Sequence, residues 1–359
     1  MRKLKDTDRH IVDSIGDLLE SAGGLIRVRR LQAGSLSFDR AVWAKLAEHG
    51  WLGAAVPETQ GGTGIELRQI LLLLEQAGRR LMPEPLVQVL AATGILSRCR
   101  GEHAAALGAE VIAGKTIAVA VDASDRAPLA AKAGQLSGET AYISDGHAAD
   151  RFLILTQSGE EIRAVAIPRA LPGVTVETEE TVDGGSIARL NLAGVTLSDL
   201  PILATGTEAV AAFRAGRELA LLGFAALLTG LMDEALQITV QYLKDRKQFG
   251  VPIGSFQALQ HRAASLYVVI HASRAFLHEA ARAGAGRRSI AALAAKSYAS
   301  EAAMQTVKEC VALHGAIGYT AEHNMSLFFR RAMALAAAGG DAVSCRKALH
   351  AERALVQDT

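Results

Sequence analysis

Arg246 and its neighbours carry the clearest chemistry in this chain. The run Arg246-Lys-Gln-Phe-Gly250, followed by Pro252-Ile253 and Phe256-Gln257, places a permanent cation beside amide and aromatic side chains. A guanidinium is planar and forked, which suits it to the paired oxygens of a pyrophosphate. Gln248 and Gln257 add amides and Phe249 adds a ring. In His314-Gly-Ala-Ile-Gly-Tyr319, Gly315 and Gly318 would let backbone amides come close to an anion. Tyr142 and Ser144, within Ala141-Tyr-Ile-Ser-Asp-Gly146, offer a ring and a hydroxyl. Each feature also has a plainer reading. Arg246 and Lys247 suit a solvated helix C-terminus, where the dipole favours cations. Phe256-Gln257 suits a helix start, Tyr142 and Ser144 suit an ordinary strand, Gly61–Gly64 a turn, and His314 a structural role.

The elements that must position these residues follow from periodicity. Asp8–Leu19 carries Ile11, Ile15, Leu18 and Leu19 at helical spacing. Helices are also expected over Phe38–His49, over Glu66–Leu81 and on past Pro83 and Pro85 to Leu96, and over Glu102–Ile112. The glycine-rich segment Glu58–Gly64 cannot be helix. Short β-rich runs then replace helix: Thr116–Val121, Ala141–Ser144, Phe152–Thr156, Ala164–Ile167, Val174–Glu177 and Ala188–Val195, a pattern that predicts a small antiparallel β-domain. From about Thr207 five helices are expected: Leu219–Phe249, Gln257–Ala283, Ile290–Leu313, Asn324–Ala337 and Asp341–Val356. The predicted class is α+β, mainly α. A helical domain over 1–115 and a middle β-domain over 116–205 precede an antiparallel helix bundle over 206–359.

Bulk properties narrow the function. Half of the 359 residues are hydrophobic, and Lys plus Arg (38) balance Asp plus Glu (37), which excludes the basic excess that nucleic-acid binding needs. Cys99, Cys310 and Cys345 form no CxxC pair and are odd in number, so neither a disulfide framework nor a metal site is expected, and a reducing cytoplasm fits. The charged N-terminus lacks the apolar core of a signal peptide. The longest apolar run, Leu219–Met232, is too short to span a bilayer and reads as a buried helix, so no membrane partner is expected.

Four segments, in order along nearly the whole chain, resemble the acyl-CoA dehydrogenase family. They are Leu46–Glu58 with Gly61-Gly-Thr-Gly64; Ala141–Gly146 before Ala149-Asp150; the Arg246–Gln257 segment, the most specific of the four; and His314–Tyr319. The resemblance implies FAD bound between the β-domain and the bundle, with its adenine end reaching a neighbouring subunit. Arg246, Gln248, Phe249, Gln257, Gly315 and Gly318 would grip the nucleotide. The Ser144 hydroxyl would lie near flavin N5, and Tyr142 would pack on the ring. The implied reaction is α,β-dehydrogenation of an acyl-CoA thioester in fatty acid or steroid catabolism. A carboxylate removes the α-proton, hydride passes to the flavin, and electrons go on to an electron-transferring flavoprotein. The implied assembly is a tetramer, either of this chain alone or with a paralogous subunit.

The chain departs from the family where the base should be. The family's usual glutamate position falls on Gly339, and the alternative on the first bundle helix falls on Ala220. Asp341 lies two residues beyond Gly339 and is more suited to capping the last helix. Glu218 lies two residues before Ala220, about 200° around the helix. The family's loop contacting flavin and substrate is replaced by Val121–Arg126 with a short link to Gly138. Ala312 stands where a glutamine often faces adenine. Three readings follow: a working dehydrogenase with an atypical base; a non-catalytic subunit completing the FAD site of a catalytic paralogue; or a flavin monooxygenase on the same fold. Acyl-chain choice would be set near Leu86, Val87, Leu90 and Leu221–Phe224.

Overall fold

Apolar residues at helical spacing turn the first third of the chain into helices. The computed structural model describes residues 5–34, 38–121 and 128–357. In it α1 (Asp6–Ser21) buries Ile11, Ile15, Leu18 and Leu19 along one stripe. Next comes α2 (Gly24–Ala33). At the start of α3 (Arg40–Glu48) the Asp39 carboxylate accepts the Ala41 N–H. The glycine-rich loop is not wholly irregular: Glu58–Gln60 makes one 3-10 turn. Then follow α4 (Leu67–Arg79), α5 (Leu86–Leu96) and α6 (Glu102–Ile112). Every residue of α5 is buried, which fits its apolar character all round.

Among the described residues nine strands form one sheet: β1 (Ile117–Val119), β2 (Leu129–Lys132), β3 (Gln135–Glu139), β4 (Ile143–Ser144), β5 (Arg151–Ser158), β6 (Glu161–Pro168), β7 (Val174–Glu180), β8 (Ser186–Thr196) and β9 (Ile202–Thr205). Their order is β4-β8-β3-β2-β5-β6-β9, with β1 on β5 and β7 on β8. The expectation of an antiparallel sheet needs correction, because β1 and β2 both pair with β5 in parallel. A tight turn cannot join parallel strands, and here the chain between them is long enough to cross over. Phe152, Ile154, Val165, Ile167, Leu190 and Leu192 make the core of this domain. The Gln88 side chain in α5 accepts the Val119 N–H at 3.0 Å and so ties β1 to that helix.

The remainder is α7 (Gly206–Asp245), a hairpin of β10 (Lys247–Gln248) and β11 (Val251–Pro252), α8 (Gln257–Arg282), α9 (Ala285–His314), α10 (Met325–Ala337) and α11 (Ala342–Gln357). The first bundle helix therefore begins at Gly206 and stops at Asp245, not at Phe249. By length and composition α7 could cross a membrane, but its most apolar window is 83% buried within the fold, as in a core helix.

The chain divides into two compact units, and the division falls inside α4 and inside α7. One unit holds Gly34–Ile70 and Pro83–Leu221, with the sheet, α3, α5 and α6. The other holds Met1–Ala33, Leu71–Met82 and Leu222–Thr359. In this second unit α4 and α7 cross at two glycines. A Cβ on Gly230 would lie 1.8 Å from the Glu75 carbonyl oxygen, and one on Gly78 would lie 2.1 Å from that of Leu227. Around the crossing, Arg274 Nε donates to Glu75 at 2.9 Å, Arg79 pairs with Asp233 at 3.2 Å and Glu234 at 3.3 Å, and Arg80 meets Glu20 at 3.1 Å.

Candidate functional site

Arg246 sits where α7 gives way to the hairpin. Its N–H donates to the Tyr242 carbonyl at 2.8 Å, and its own carbonyl accepts the Ile253 N–H at 2.8 Å. Lys247 pairs with Pro252 and Gln248 with Val251, leaving a two-residue loop of Phe249 and Gly250. Both have positive φ, +55° and +81°. That is the geometry whose twist suits a two-residue hairpin. Glycine adopts it freely, whereas Phe249 does so at a cost of about 1 kcal/mol or more. Gln248 and Phe249 thus occupy a hairpin, where the sequence predicts the end of a helix.

The hairpin projects its side chains outward. Phe249 is 91% exposed, and it meets Phe256 edge to face at 6.2 Å. Arg246, Gln248 and Gln257 are exposed. Among the described residues the Arg246 side chain has no hydrogen-bond or ion-pair partner.

The His314–Tyr319 segment lies against the root of this hairpin. The Tyr242 ring stacks on His314 at 4.5 Å, and His314 lies 4.6 Å from His323. His314 Nδ1 donates to the Cys310 carbonyl at 2.8 Å, while its buried Nε2 has no partner among the described residues. Burial pushes the His314 imidazole below its usual pKa. His323 is pushed the same way by burial and by the nearby His314 and Arg29. The φ of +67° at Gly315 suits glycine, and Gly315 is exposed. Gly318 is buried, and a Cβ there would lie 2.7 Å from the Val311 carbonyl oxygen. Its need for glycine therefore comes from α9. Tyr242 and His323 were not singled out from sequence. Tyr242 stands one helical turn before Arg246, a detectable signal, whereas His323 carries none.

Gly339, where the sequence reading expects the family's base, has φ +68° in the turn between α10 and α11. Beneath the turn, the buried Lys296 ammonium donates to Ser300 Oγ at 2.8 Å and to the carbonyls of Ala336 and Gly340, both at 3.0 Å. Burial lowers its pKa to about 8. The exposed Asp341 accepts the Ser344 N–H at 2.7 Å at the start of α11, and that contact holds its carboxyl below the usual range. Ala220 and Glu218 are both buried in α7.

In the other unit, Ser144 is half-buried on β4 opposite Ile187. The Tyr142 hydroxyl donates to Glu179 at 3.0 Å, and the Arg189 guanidinium lies 5.1 Å from its ring centroid. Leu86, Val87 and Leu90 are buried. Most of the Val121–Arg126 loop lies outside the described residues.

A helical segment, a mixed sheet, a second helical segment and an outward-facing arginine hairpin together define a class. The pattern of the acyl-CoA dehydrogenase N-terminal domain matches residues 6–105, and that of the C-terminal domain matches residues 214–352. The chain belongs to the acyl-CoA dehydrogenase family. It is 32% identical over 323 residues to the acyl-CoA dehydrogenase IpdE2 of Mycobacterium tuberculosis, covering 89% of each chain. Among solved structures it resembles the ChsE4-ChsE5 complex of Mycobacterium tuberculosis, at 27% identity and TM-score 0.88 over 98% of both chains. It also resembles the Tcur3481-Tcur3483 steroid ACAD, at 26% identity and TM-score 0.87 over 99% of both.

Proposed function

We propose that this chain works in the FAD-dependent α,β-dehydrogenation of an acyl-CoA thioester, fatty or steroid-derived. The observation that carries this reading is the hairpin: an Arg246 without a partner among the described residues, exposed Gln248 and Gln257, and an exposed Phe249 held in a costly conformation. Such a group fits a ligand rather than its own bundle. The residues also fit the chemistry of a flavin dinucleotide. Arg246 would hold the pyrophosphate, Gln248 and Gln257 its polar groups, and Phe249 a ring, while the Gly315 amide would approach an anion. Gly318 maintains the turn that presents it. Tyr142 and Ser144 are the sheet's proposed flavin contacts. When bound, the flavin supplies the hydride acceptor. An electron-transferring flavoprotein is the proposed electron acceptor.

A second reading is favoured by the base positions. Gly339 and Ala220 cannot take a proton, and Asp341 is engaged in capping. The proton acceptor would then come from a paralogous subunit, with this chain giving Arg246 and Gln257 to a shared flavin. Its likeness to a two-component complex supports the same view.

Purification of the chain alone and together with a paralogue encoded beside it separates the two. If the chain alone is yellow and reduces a dye with an acyl-CoA, it is a complete dehydrogenase. If colour and activity emerge only on co-expression, the partner-subunit reading stands. Oxygen-dependent turnover without a CoA thioester would overturn both in favour of a monooxygenase.

A further inference from the structure

We infer a second ligand site at the far end of α8, one that binds an amphiphilic anion: a short apolar tail carrying a carboxylate or phosphate head. The turn between α8 and α9, together with α11, lines an open cleft of about 620 Å³. That volume falls within the roughly 300–1,000 Å³ of small-molecule sites. Phe276, Ile290 and Leu349 give it apolar walls. Arg282, Arg287 and Arg353 line it as well, with Glu279 as the opposing carboxylate.

Like Arg246, the arginines of the cleft lack a carboxylate partner among the described residues. In the same unit Arg79, Arg80, Arg262, Arg274 and Arg346 each meet a carboxylate. Arg282, Arg287 and Arg353 meet none among the described residues. Three unpaired guanidiniums and one carboxylate leave a local charge of +2 around an apolar floor. A guanidinium fork pairs best with a carboxylate or phosphate, and the floor favours hydrocarbon. A bare anion would leave the floor wet, and a neutral tail would leave the guanidiniums unused.

The cleft is not the hairpin site. α8 has 26 residues, or about 39 Å at ~1.5 Å per residue. Gln257 begins it and Arg282 ends it.

Octanoate is the probe, titrated calorimetrically into the full chain in the assembly in which it purifies. Octanol has the same tail without the charge, and inorganic phosphate has charge without the tail. Octanoate is expected to bind saturably, and at least about tenfold more tightly than either control, a factor that roughly 1.4 kcal/mol of charge-assisted bonding supplies. Arg287→Gln with Arg353→Gln should weaken octanoate by about tenfold, while Arg287→Lys with Arg353→Lys should weaken it less. Because these side chains are exposed, both pairs should keep the native far-ultraviolet spectrum and flavin content. As a second route, Ala294→Phe fills the floor without touching the charges and should abolish binding. Equal binding of octanoate and octanol, equal binding of octanoate and phosphate, or unchanged octanoate binding in the glutamine pair or in Ala294→Phe would overturn the site, as would no binding at all. None of these outcomes bears on the Arg246 hairpin.

Discussion

At the scale of single residues, Lys296 and Asp341 make opposite demands on the turn around Gly339. The Lys296 ammonium has three protons and three acceptors, two of them the carbonyls of Ala336 and Gly340. Lys296→Met would leave those carbonyls without their donor in a buried place and should cost about 2 kcal/mol, measured by urea unfolding. Its pKa falls from the ordinary 10.5 to about 8 on folding. As pH drops through that window, the unfolded chain takes up its proton first. The Lys296 contribution to stability is therefore largest above pH 10.5 and falls towards pH 8, opposed above pH 9 by the buried Cys99 and Cys310 thiols, pushed up to about 11, so it is read as the difference between the native chain and Lys296→Met. Asp341→Ala should cost about 1 kcal/mol, the usual loss of a helix cap, and leave turnover in place. A fall in turnover of more than about a hundredfold, the least expected on losing a general base, would instead make Asp341 that base. Arg246 was legible in the sequence as a cation within a motif, because residue type alone speaks there. Lys296 was not, since one lysine in an alanine-rich helix reads as an exposed face until the turn packed over it is known.

At the scale of elements, the order of helix, sheet and helix could be read from periodicity, but several junctions could not. Nothing before Gly250 breaks the helical pattern, so α7 reads as running through Phe249. It stops at Asp245 because Lys247 and Gln248 find partners in Val251 and Pro252 across a tight loop. Leu129–Lys132 and Gln135–Glu139 hold few β-branched or aromatic residues, and only pairing with β5 and β8 makes them strands. The crossing of α4 and α7 was equally hidden, because a glycine pair looks like a weak point rather than a contact. At that crossing Gly230→Ala places a methyl 1.8 Å from a carbonyl oxygen. The backbone on both sides is helical and cannot yield by a side-chain rotation, so a loss of about 3 kcal/mol or more is expected on unfolding by urea, with Gly216→Ala smaller because the Ile95 side chain can move.

At the scale of the whole molecule, the question is how many chains build one flavin site. The hairpin turns Arg246 and Phe249 away from their own bundle, and Gly339 and Ala220, the two expected base positions, carry no group that accepts a proton. If a paralogue supplies the missing carboxylate, each flavin takes one Arg246 hairpin from this chain, and a mixed assembly should hold one flavin for every two chains. A homomeric enzyme should hold one per chain. Flavin absorbance per mole of protein, with the mass of the assembly taken from light scattering, distinguishes the two ratios. Arg246→Gln in this chain should then lower flavin content in the mixed assembly by at least about tenfold in affinity while leaving its mass unchanged, because an exposed, partnerless guanidinium contributes little to folding and much to an anion it grips. A ratio of one flavin per chain in the protein purified alone, bleached by an acyl-CoA, would show that this chain completes its own site and finds its base elsewhere.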